Sequence, residues 1–195
     1  MPPGTPRPPD EPYRYRRGWS ATARLNASNR VRATVEQNSD LVTVCEATAE
    51  VVREILVARS VSVLLIDETG YREIVNVGAL EPGDVRFPVG ERYPLSTYPL
   101  ASARLLARKG YISADGTLDV VRERAKPAEG SKVGCFMGVP IVALGEVRGE
   151  LYLTRGKGKP VFTPEDLEIT GDFATQLGTR IPAMLKQIRE SRPDW

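Results

Sequence analysis

The sequence predicts an α+β sandwich: one antiparallel sheet with helices against one face and a looser cap over the other. Three observations predict it. Two pairs of apolar, β-branched runs are each divided by a short turn, at 60–67 with 71–77 and at 133–144 with 147–154. Segments with helical apolar spacing stand before the first pair and after the second. Between the pairs lies a Gly/Pro-rich stretch with one short helical segment.

In chain order, residues 1–20 carry Pro2, Pro3, Pro6, Pro8, Pro9 and Pro12 and no apolar periodicity, which predicts a disordered Pro/Arg-rich arm. In residues 21–38, Ala21, Leu25, Val31 and Val35 are thinly spaced, which favours a linker or short helix over a buried one. Ser39 and Asp40 offer capping oxygens, and Leu41, Val44, Cys45, Thr48, Val51, Val52, Ile55 and Leu56 follow at three- and four-residue intervals. That spacing predicts an amphipathic helix. SVSVLLID at 60–67, the turn Glu68-Thr69-Gly70 and the run 71–77 make a β-hairpin.

Val85 to Val89 reads as a short strand that Pro88 confines to an edge. A helix is expected from about Leu100 to Arg108, with Gly110 as terminator and a short strand at Tyr111 and Ile112. VGCFMGVPIVAL at 133–144 and the run 147–154 form the second hairpin across Gly145-Glu146. RGKGKP at 155–160 reads as a solvated turn. Thr163, Pro164, Glu165 and Asp166 supply an N-cap, a first-position proline and acids over the positive helix end. The helix they open carries Thr170, Ala174, Leu177, Ile181, Met184 and Ile188 on a heptad-like seam flanked by Leu167, Phe173 and Leu185, with a kink expected at Pro182. Residues 191–195 are a tail.

Composition narrows function. A formal charge of +2 gives no general field for nucleic acid or an anionic membrane, so neither is expected as a partner. The one local basic excess is Arg14, Arg16 and Arg17 among Tyr13, Tyr15 and Trp19. No stretch approaches 18 apolar residues and the N-terminus does not read as a signal peptide, so a cytoplasmic location is expected. Two cysteines build neither a disulfide framework nor a four-ligand metal site. The complete lack of histidine removes imidazole ligation and every nucleophile that depends on a histidine base. No metal, cofactor or catalytic residue is expected, and the chain is not read as an enzyme.

Over residues 39–190 the order of these elements resembles a GAF domain. FMGVPIVALGEVRGELYLTRGKGKPVFTPEDLEITGDFATQLGTRI is similar to the C-terminal half of that family, VCEATAEVVREILVARSVSVLLIDETG to its opening helix and first hairpin, and FPVGERYPLSTYPLASARLL to its variable middle. The resemblance implies a pocket between the sheet and that middle segment, used in the family for cyclic nucleotides, tetrapyrroles, other small molecules or nothing. Of the cyclic-nucleotide motif only Phe162 and Asp166 survive, with Leu167 at the Glu position and Thr154-Arg155 where Asn-Lys would stand. Haem- and bilin-binding members use histidines that this chain lacks.

The implied ligand site draws on the middle segment: Arg86 and Arg104 as guanidinium forks for a carboxylate or phosphate, Tyr93 and Tyr98 as aromatic walls, and Cys135 on a strand resembling the pocket wall. Leu177, Ile181, Met184 and Ile188 are expected to form a homodimer interface. The reading is a regulatory module that binds a small molecule and signals to a separate partner. The alternatives are a ligand-free scaffold for protein–protein contacts and, more distantly, a cysteine-dependent reductase.

Overall fold

A computed structural model describes residues 18–67, 70–79, 90–114 and 133–191. Residues 1–17 of the arm expected at 1–20, the strand expected at 85–89 and Arg86 lie outside the described residues, while Trp19 packs on the core and Ser20 caps α1 in place of the expected disorder. Among the described residues, α1 (Ala21–Gln37) and α2 (Leu41–Ile55) precede the hairpin β1 (Ser60–Asp67) and β2 (Gly70–Gly78). Then come β3 (Arg92–Tyr93), a 3-10 turn (Leu95–Thr97), α3 (Pro99–Leu106) and β4 (Tyr111–Ser113). The hairpin β5 (Val133–Ala143) and β6 (Glu146–Gly156) leads to α4 (Pro164–Gly178) and α5 (Ile181–Ser191).

The six strands run β3-β2-β1-β6-β5-β4, with every pairing antiparallel. The two hairpins therefore lie side by side, joined where Ser60–Leu65 pairs with Gly149–Thr154. Alternation along the strands divides the core in two. Val61, Val63, Leu65, Met137, Val139, Leu151 and Leu153 face α2 and α4 in the main cluster. Leu64, Ile66, Tyr71, Phe136 and Tyr111 face the other way and pack with Tyr98, Ala101 and Leu105 around α3. The sheet is thus helix-covered on one face and capped on the other, as expected of the α+β class.

Four local features depart from expectation. Residues 21–37 form a full helix buried along Ala23, Ala27, Val31 and Val35, because small residues at a four-residue spacing let it lie close to its neighbours. The terminal helix is two helices: the chain breaks at Thr179 and Arg180, and Pro182 falls in the first turn of α5, where its missing N–H removes no helical hydrogen bond. The second hairpin turns at Leu144-Gly145, one residue early, both with positive φ (51° and 80°). Finally, Arg155 of RGKGKP is buried and only the rest of that run is solvated.

The expected helix starts are present. Asp40 accepts from the Thr43 amide, which with desolvation opposing it holds the Asp40 carboxyl below its usual range. Thr163 and Asp166 close a capping box at the head of α4.

Candidate functional site: the capped face of the sheet

The capped face is apolar and aromatic beneath α3 and carries buried polar groups along its central strands. A β-bulge between Val63 and Leu64 inserts Ile74 into β2, so Tyr71 and Glu73 face the cap while Val75 and Val77 face the helices. Leu64 consequently stands opposite Glu73 on one side and Glu150 on the other. Both glutamates are fully buried, 0% exposed, and their backbones lie about 10 Å apart, two strand spacings. A buried carboxylate is costly unless donors or cations meet it. Tyr111 supplies one donor, its hydroxyl lying 3.0 Å from Glu150 Oε1.

Gly138 makes that bond possible. It sits opposite both Tyr111 and Tyr152, and a Cβ there would collide with the Tyr111 ring and with Glu150 Oε1. The next rows are hydroxyl- and amide-lined: Asn76 Nδ2 donates to Ser62 Oγ at 2.8 Å, and Ser60 Oγ meets Thr154 Oγ1 at 2.6 Å. Phe136 and Tyr152 pack at 6.0 Å between centroids.

Under α3 the face is closed by tyrosines. Tyr71 meets Tyr98 edge-on at 6.1 Å, and its hydroxyl donates to Ser102 Oγ at 2.7 Å, which donates in turn to the Leu95 carbonyl at 2.9 Å. Tyr93 lies 6.5 Å from Tyr98, so these two expected wall residues are brought together. Burial, and then its hydrogen bond to Glu91, push the Tyr93 phenol above its ordinary range.

The other expected site residues stand apart from this face. Arg104 is exposed on α3. Cys135 corrects the expected pocket wall: strand alternation turns it to the helix face beside Phe162 and Arg155, where burial pushes its thiol up. Leu177, Ile181 and Met184 are 0%, 0% and 2% exposed within the chain's own core, with Ile188 half-buried against it. The expected dimer seam is therefore occupied by the protein itself, because α5 folds back on α4 and α2 instead of extending α4 outward.

Sequence reasoning missed Glu73, Glu150, Tyr111 and Tyr152. The alternation Glu150-Leu151-Tyr152-Leu153-Thr154 was the available signal, since it marks β6 as a strand with one polar face. At Glu73 the bulge erases that signal.

On the helix side, Arg155 ties several elements together. Its Nε and Nη2 donate to the Leu56 carbonyl at 3.1 and 2.6 Å, its Nη1 reaches the carbonyls of Pro160 and Val161, and its plane lies 4.1 Å over Phe162. Asp166 stands 3.4 Å away. The two survivors of the nucleotide motif thus serve as helix cap and arginine partner. Among the described residues no group of three or more His, Cys, Asp or Glu could hold a metal ion, and no helix is long and apolar enough to cross a membrane.

The family model described as GAF domain matches residues 40–181. The chain belongs to the GAF domain family. Among solved structures this GAF domain is similar to that of a phosphoenolpyruvate-protein phosphotransferase from Coxiella burnetii, at 18% identity and a TM-score of 0.66, covering 89% of this chain and 98% of that one. The corresponding Acinetobacter domain gives 18% identity and 0.65, over 88% and 97%. A phycoerythrobilin-bound GAF domain from a cyanobacterial phytochrome gives 16% and 0.66, over 86% and 99%. At such identities these likenesses show the fold alone. No curated protein matches the chain. Helix α1 stands ahead of the matched segment.

Proposed function

We propose that this GAF domain is a non-catalytic sensory module that takes a small molecule against the capped face of its sheet and passes the change to a separate signalling partner. The observation that carries this reading is the row Glu73–Leu64–Glu150, two fully buried carboxylates on the same face as Tyr111 and Tyr152. A face that served only packing would be expected to be apolar, as the central strands are on the opposite side, where Val61, Val63, Leu65, Met137, Val139, Leu151 and Leu153 point. Polar groups converging beneath a cap are what orient a ligand in a concave site. The bilin named for the cyanobacterial domain is not carried over, since the chain has no histidine and Cys135 lies on the opposite face. The same facts argue against catalysis on this face: it has no cysteine among the described residues and no histidine base.

A second reading, a ligand-free scaffold, draws on Tyr71, Tyr98, Ala101, Leu105 and Phe136, which fill the space beneath α3. Native mass spectrometry of freshly purified protein, set beside its denatured mass, separates the two. Retained extra mass of ligand size, lost in Glu150→Gln while the fold persists, is the expected result. A bare mass after purification, with no thermal shift across a metabolite panel, would overturn the sensor reading in favour of the scaffold. The subunit count from the same spectrum tests the proposed homodimer, which has to use surfaces other than the buried seam.

A further inference from the structure

We infer that α1 is a detachable strap, latched at its N-terminal end by Trp19 onto the Asp166–Arg155 pair, that opens as a unit while the sheet and the remaining helices stay folded. The inference concerns the protein without any ligand and does not depend on the sensor reading.

The first ground is how little holds α1. Its buried face is one line of small residues, Ala23, Ala27, Val31 and Val35, whereas α2 buries Leu41, Val44, Cys45, Thr48, Ala49, Val52 and Ile55. Among the described residues, polar ties add to this line, including one from Arg180 Nη2 to the carbonyl of the C-capping Asn38 at 3.3 Å. Arg24–Glu168 at 3.1 Å and Arg30–Glu54 at 2.8 Å are open to solvent, where ion pairs contribute little and are screened by salt. Gln176 Nε2 donates to Ser28 Oγ at 2.7 Å. Elements with little apolar burial are the ones that open below the global unfolding free energy.

The second ground is the latch. Trp19 is the one large apolar side chain at this end of the strap, and it packs part-buried against the main core. Its backbone N–H donates to Glu165 Oε2 at 2.9 Å and its indole Nε1 to Asp166 Oδ1 at 3.0 Å. Asp166 also accepts the Thr163 amide at 3.0 Å and faces Arg155 at 3.4 Å. A cavity of about 80 Å³ borders Trp19, Ala23, Leu56, Arg155, Val161 and Asp166 among the described residues. The latch also reports on the sheet. Arg155 follows Thr154, whose hydroxyl lies on the capped face against Ser60, so a displacement of β6 there reaches Asp166 and Trp19 through adjacent residues. Opening uncovers the sides of α2 and α4 against which α1 rests.

Hydrogen–deuterium exchange on the full chain tests this. Amides of 21–37 should exchange as one group, at least a hundredfold faster than the buried turns of α2 and the central strands. Trp19→Phe, which keeps an aromatic ring but loses the indole donor and part of the buried surface, should accelerate that group about tenfold further and leave α2, β1 and β6 unchanged. If 21–37 exchanges together with α2, or if Trp19→Phe accelerates all elements equally, the strap is part of the global unit and the inference fails. A second measurement stands even if that variant folds poorly. In a Trp195→Phe background, Trp19 is the sole tryptophan. Its emission should shift at lower urea than the far-ultraviolet circular dichroism transition, and coincident transitions would overturn the strap.

Discussion

Tyr111 shows how one side chain carries the chemistry of the capped face, since its hydroxyl is the donor that meets a fully buried glutamate. Tyr111→Phe leaves the ring in place and removes that donor, so it should cost about 1–3 kcal/mol, read from urea denaturation, because it leaves a buried acceptor without that partner. Cys45 makes a different point. Burial foremost, and then the Asp40 charge, push its thiol up to about 12. The unfolded thiol ionises near 9, so below that pH neither state loses a proton and the residue adds no slope. Above it the unfolded chain sheds a proton that the folded chain retains, and stability falls as pH rises from about 9 to about 12. Comparing urea midpoints of the wild type and Cys45→Ala across that window should show the steeper decline in the wild type.

At the scale of elements, regular periodicity was legible and its interruptions were not. Both hairpins, α2 and the capping box at Thr163 follow from alternation, three-and-four spacing and cap chemistry, and each is where the sequence puts it apart from the one-residue offset of the second hairpin's turn. Helix α1 is faint in the sequence because its buried stripe is alanine and valine, too small to stand out from a polar segment. One unbroken terminal helix was expected because the apolar spacing continues through Thr179 and Arg180, although the chain turns there. The polar face was half-legible: β6 displays it in Glu150, Tyr152 and Thr154, while the bulge at Ile74 hides Glu73. Gly138 ties an element to the site. Gly138→Ala would drive a methyl group into the Tyr111 ring and Glu150 and should destabilise by about 1–3 kcal/mol, measured by thermal or urea unfolding.

For the molecule as a whole, the question is what the C-terminal helices do. Leu177 is fully buried, so Leu177→Ala should cost about 2–5 kcal/mol by leaving a cavity, with no change in subunit mass on size exclusion at equal concentration. A dissociated dimer of unchanged stability would instead restore the helical seam. The sheet order has a separate consequence for how the cap is able to vary. β2 and β5 bracket residues 79–132, and their partners β1 and β6 are hydrogen-bonded to each other, so the sheet alone closes the loop that contains the cap. Closure entropy grows only with the logarithm of loop length, and doubling such a loop costs about 0.6 kcal/mol. Length can therefore be added to the roof over the glutamate row at little entropic cost while the strands beneath keep their register, whereas Tyr98, Ala101, Leu105 and Tyr111, which pack on the sheet, hold its composition where they touch the floor.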